Sequence, residues 1–179
     1  MTRLALLLLL TLAACTEAPR AAHPAEQPLV AQPAALSFPL AVYLPADAAD
    51  WEVVEAQRVL SVWDDAVGEQ VFELQLVDDL DATGCGFRWR WEDDLGVDGD
   101  GVEIVGYFST ALPECWSTLW VQRDTVGTTA AVHELGHGLG IAEHGADVED
   151  VMHASLYPEL DQHIMPYAVE HVRRLMGAL

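Results

Sequence analysis

The chain has 179 residues, 51% of them apolar, and a formal net charge of −21 from 29 acidic and 8 basic residues. That length suits one compact domain rather than two. All eight basic residues are Arg, and so dilute and outnumbered a set excludes nucleic-acid binding, because phosphate recognition needs clustered cations.

The first fourteen residues read as an address. After Arg3, the stretch Leu4 to Ala14 is broken only by Thr11. It falls short of the ~20 residues that span a membrane and suits a secretory signal. The run Leu12-Ala13-Ala14-Cys15 resembles the bacterial lipobox. That resemblance implies cleavage before Cys15, acylation of Cys15 and a stable anchor made of several acyl chains. Thr16, in place of Asp, implies an outer-membrane destination within the bacterial cell envelope. Export leaves Cys85 and Cys115 as an even pair in an oxidising compartment, so one disulfide is expected between them. Residues 16–37 are rich in Ala and Pro without an apolar period and read as an extended tether, with His23 inert. The expected organisation is a signal peptide at 1–14, a lipidated Cys and tether at 15–37, and one folded domain at 38–179.

Within the domain, residues 39–44 form an apolar strand. After Pro45-Ala46-Asp47, the spacing of Val53, Ala56, Leu60, Trp63 and Val67 predicts a helix with one buried face. Alternation predicts strands at 71–77, with Phe72, Leu74 and Leu76 on one face, and at 87–91, with Phe87, Trp89 and Trp91 opposite Arg88 and Arg90. The tryptophans are read as core rather than as a binding platform. The acidic loop 92–101 faintly resembles a calcium loop at Asp98, Asp100 and Gly101. It departs from EF-hand spacing, with Gly96 and Tyr107 where the first and last carboxylates belong, so Ca2+ stays a minor expectation. Strands at 102–108 and 118–122 lead into a helix over 128–139. The order is that of an α+β fold.

That last helix carries His133-Glu134-Leu135-Gly136-His137. Histidines four apart project from one helix face and can share a metal, and Glu134 lies beside the site without having to bind it. Neutral imidazoles leave zinc acidic enough to activate water, and Glu134 can carry the proton from that water to a leaving amine. Val132, Leu135 and Leu139 seat the helix in a core. Gly140 allows the chain to reverse, and His144 follows as a third ligand. Three protein ligands with an open fourth position define a catalytic site rather than a structural one.

The span from Ala131 to His144, followed by Asp150-Val151-Met152, resembles the metzincin clan of zinc peptidases, especially its small matrixin-like bacterial members. The resemblance implies a zincin catalytic domain with a mixed, mostly parallel sheet, an active-site helix and a C-terminal helix, here 165–177 with Pro166 in its first turn and Val169, Val172 and Leu175 buried. It implies one catalytic Zn2+, Glu134 as base, and Met152 as the Met-turn beneath the ligands, with Met165 a rival for that role. The family spacing puts Glu143 at the third-ligand position and His144 one residue late, so Glu143 is the alternative to the favoured His144. Tyr157, His153, His163 and His171 are read as packing or surface residues. The expected activity is peptide-bond hydrolysis on peptide or protein substrates by a monomer. Two alternatives stay open: a zincin whose third ligand is a downstream Glu such as Glu170, and an inactive lipid-anchored binding module on the same fold.

Overall fold

The computed structural model describes residues 37–97, 104–111, 116–123, 127–141, 144–156 and 161–177, together with the backbone of Leu12–Ala13. Its centre is a five-stranded sheet built from β2 (Leu40–Pro45), β3 (Phe72–Val77), β4 (Gly86–Glu92), β5 (Gly106–Ala111) and β6 (Trp116–Gln122). The spatial order is β3-β2-β4-β6-β5. Four strands are parallel; β5 alone runs antiparallel, pairing Gly106 with Val121 and Ala111 with Trp116. Among the described residues three α-helices accompany the sheet: α1 (Asp50–Val67), α2 (Gly127–Gly138) and α3 (Pro166–Gly177). A separate two-residue ladder joins β1 (Leu12–Ala13) to β7 (Ser155–Leu156). The mixed, mostly parallel sheet and α+β order agree with the sequence reading. Among the described residues no helix is long and apolar enough to cross a membrane.

Parallel neighbours cannot be joined by a tight hairpin, and the chain uses α1 as the crossover from β2 to β3. Glu52 opens α1 by accepting the Ala49 N–H at 2.8 Å, and Gly68 closes it in the left-handed region at φ 82°. The Asp64 carboxylate then accepts Val71 N at 2.8 Å, so the end of α1 fixes the start of β3. Ala56, Leu60, Trp63 and Val67 are buried as the spacing requires; Val59 joins them, and Val53 is half-buried. The Trp63 indole N–H donates to Val132 O of α2 at 3.0 Å, a bond that ties the two helices within the core.

β3 departs from expectation at its far end. Phe72 is buried, Leu74 half-buried and Leu76 52% exposed. Among the described residues β3 is an edge strand with β2 as its one strand neighbour, so the outer end of its apolar row runs beyond the packed layer. In β4 the buried row Phe87, Trp89 and Trp91 is core, as expected. Arg88, on the other face, is also buried: its guanidinium donates to Thr83 Oγ1 at 3.0 Å and Asp81 O at 3.1 Å beneath the 3-10 turn Leu80–Ala82. The antiparallel strand is Gly106–Ala111, later than the 102–108 pattern suggested.

In α3 the buried positions are Ala168 and Val172, with Val169 and Leu175 only half-buried. Two side chains dock it. Arg173 donates to Val67 O at 2.6 and 3.0 Å at the C-terminus of α1, where a cation meets the negative helix end. His171 donates to Leu139 O at 2.9 Å just beyond α2. Cys85 is disulfide-bonded; it precedes Gly86, whose register partner Trp116 follows Cys115 in sequence. Cys115, Cys15 and residues 98–101 lie outside the described residues, so the pairing, the lipid anchor and the calcium loop remain expectations.

Candidate metal centre

α2 ends in a Schellman motif that the sequence around Gly140 foreshadows. Gly140, at φ 86°, donates to His137 O at 2.9 Å, and Ile141 donates to Gly136 O at 3.0 Å. The reversal satisfies the last carbonyls of the helix and returns the chain across its own end. It also presents Ile141 O to His137, whose Nδ1 lies 2.7 Å away. His133 makes the matching contact, Nδ1 to Val151 O at 2.7 Å.

These two bonds decide the tautomers. A carbonyl can only accept, so each Nδ1 carries the proton and each Nε2 keeps its lone pair for a metal. His144 comes back after the turn and completes the group. Its ring stacks on that of His133 at a centroid distance of 5.3 Å and meets that of His137 edge-on at 5.2 Å. The three ligand atoms lie within 4.8 Å of one another. Ligands ~2.0–2.1 Å from one tetrahedral ion sit roughly 3.4 Å apart, so modest side-chain rotation closes the gap.

Electrostatics agree with a ligand role. Burial, reinforced by neighbouring His137, holds the pKa of His133 down to about 3. Burial likewise lowers that of His137, against the pull of the Ile141 carbonyl. Burial, then His137 and His153, lower that of His144. All three imidazoles are therefore neutral at neutral pH, the form that binds metal. The donor set, tautomers and charge state fit a zinc ion.

Glu134, next along α2, is 1% exposed. Its side chain packs under the first residue of β5: a Cβ at Gly106 would stand 3.2 Å from Glu134 Cγ. Met152 is fully buried against α2, and a Cβ at Gly136 would collide with its Sδ. Leu135 and Val132 are buried, as expected of residues that seat this helix. Met165 directly precedes α3, its carbonyl accepting the N–H groups of Ala168 and Val169.

The other candidates separate cleanly. The His153 Nδ1 accepts Ser155 N at 3.0 Å, His163 is exposed, and His171 caps α2; none belongs to the three-histidine group. Glu170 is exposed on α3, pairs with Arg174 at 3.0 Å and lies outside the three-histidine group. Glu143 and Tyr157 lie outside the described residues. Sequence reasoning missed the two carbonyls, Val151 and Ile141, because nothing in a side-chain pattern marks a main-chain acceptor. It also gave no role to Asp150, a buried carboxylate two residues before Met152, or to Tyr167, whose hydroxyl donates to it at 2.8 Å. A scan against protein-family models and a search of curated proteins each find no match for this chain.

Proposed function

We propose that this chain is a zinc-dependent endopeptidase of the metzincin type, exported and held at the bacterial cell envelope through Cys15. The observation that carries the reading is the convergence of His133, His137 and His144, two of them with Nε2 freed by carbonyl contacts, beside a buried Glu134.

His133, His137 and His144 would hold the zinc ion, which when bound would supply Lewis acidity toward water and a substrate carbonyl. The residues of the chain do the rest. His133 and His137 keep their Nδ1 protons on Val151 O and Ile141 O, which fixes both rings. Glu134 takes a proton at its carboxylate as water attacks the peptide carbonyl, then delivers it to the departing amine. Met152 forms a rigid apolar floor against Gly136. An extended substrate can add to the sheet along β5, the edge strand whose first residue packs on Glu134, so main-chain pairing there would lead the peptide to the base.

Purified protein, loaded with one equivalent of zinc, should cleave casein or a quenched fluorescent peptide library. A chelator should abolish cleavage, and zinc should restore it. Protein that binds zinc yet turns over no member of the library would instead be the metal-binding module that keeps this fold without activity.

A further inference from the structure

The third ligand is held differently from the other two. His133 and His137 each have a carbonyl on Nδ1; among the described residues the His144 ring makes no hydrogen bond, so its position depends on the backbone that carries it. That backbone continues at Gly145 into a turn that returns at Met152, with Gly145 N donating to Met152 O at 2.9 Å. The Asp150 carboxylate fills the turn. Oδ1 accepts Met152 N at 2.9 Å, Oδ2 accepts the Tyr167 hydroxyl at 2.8 Å, and a Cβ at Gly145 would overlap Oδ2. Asp150 is 1% exposed and makes no ion pair among the described residues. A carboxylate so buried is held by its hydrogen bonds, and one of its two described side-chain oxygen partners comes from α3.

We propose that Asp150 and Tyr167 form a positioning pair: the Tyr167 hydroxyl holds the Asp150 carboxylate against Gly145 and thereby sets His144 opposite the other two imidazoles. This inference rests on the zinc reading of the site. The turn has other supports that keep it folded when the hydroxyl is removed. Gln162 Nε2 reaches Val148 O at 3.0 Å and Asp150 O at 3.3 Å, and Val151 N donates to His163 O at 2.9 Å. Tyr167 as a residue is 48% exposed, and Tyr167→Phe removes one oxygen and leaves the ring in place. Burial and Asp150 raise the phenol's pKa above its usual value, so Tyr167 remains a donor across the working range.

The test is zinc affinity, measured by competition with a chromophoric chelator, for the full chain, Tyr167→Phe, His144→Ala and the double variant. Tyr167→Phe should bind zinc about 10- to 100-fold more weakly, while the metal-free protein stays folded and melts roughly 2–10 °C below the parent, the loss expected when a buried carboxylate gives up one donor. Without His144, losing the hydroxyl should change affinity by less than about twofold, the ordinary error of additivity. Parent-like affinity in Tyr167→Phe overturns the inference, as does an equal loss with and without His144. A parent protein that binds no zinc overturns the metal reading beneath it, a result distinct from either.

Discussion

Gly136→Ala offers a test in which local propensity and tertiary packing predict opposite signs. Inside a helix this change ordinarily stabilises by about 0.5–1 kcal/mol, because glycine loses the most backbone freedom on folding. Here the new Cβ would collide with Met152 Sδ and stand 2.9 Å from Met152 Cε and 3.2 Å from Trp63 Cζ2. Met152 and Trp63 are both fully buried, so neither can swing into solvent to relieve the overlap. Overpacking of this kind costs about 1–3 kcal/mol, which leaves a net destabilisation of about 0–2.5 kcal/mol. Displacing Met152 also shifts its neighbour Val151, whose carbonyl orients His133 at 2.7 Å, so zinc affinity should fall about 10- to 100-fold. Urea denaturation of the metal-free protein and chelator competition read the two effects. Gly177→Ala, with nothing within 4 Å of its new Cβ, is the control and should not destabilise. A Gly136→Ala protein that gains stability and keeps its zinc affinity would refute the close packing of Met152 beneath the helix.

Trp63→Phe removes the indole donor to Val132 O and part of a buried ring, and should cost about 1–3 kcal/mol by denaturant titration; a loss under about 0.5 kcal/mol would mean the α1–α2 bond contributes nothing. The metal-free protein should lose stability as pH falls from 6.5 toward 3. The folded-state pKa of His133 is about 3, below its unfolded value of 6.5, so the unfolded chain binds the extra proton in that window. This group contributes a slope of at most ~1.4 kcal/mol per pH unit, and His133→Gln should flatten the profile by that amount. His144→Ala should weaken zinc binding by more than about 100-fold, whereas Glu143→Ala should leave it within about threefold; the reverse pattern would transfer the third-ligand role to Glu143.

Much of this architecture is written in side-chain periodicity, and what is not has identifiable causes. The 3–4 spacing from Val53 to Val67 located α1 because the helix buries one continuous stripe. It missed Val59, which widens that stripe. The alternation in β3 misplaced Leu76 because period two reports which face a residue takes, not whether anything covers that face at a sheet edge. Arg88 shows the converse: a charged residue on the outer face became buried once the turn at Leu80–Ala82 closed over it. At the metal centre, the pair four apart and Gly140 were legible, and the Schellman turn explains physically how one glycine brings His144 back. The supports of the site were not. Val151 O and Ile141 O are main-chain atoms, and Asp150 meets Tyr167 only because α3 docks against the ends of α1 and α2 through Arg173 and His171.

The most direct test of the account is peptide cleavage by Glu134→Gln beside the parent protein, both brought to the same measured zinc content. The substitution keeps the buried side chain's shape and removes its capacity to take a proton. Zinc binding at His133, His137 and His144 should survive, and turnover should fall by at least about 100-fold. Parent-level turnover in Glu134→Gln at equal zinc content would contradict the account.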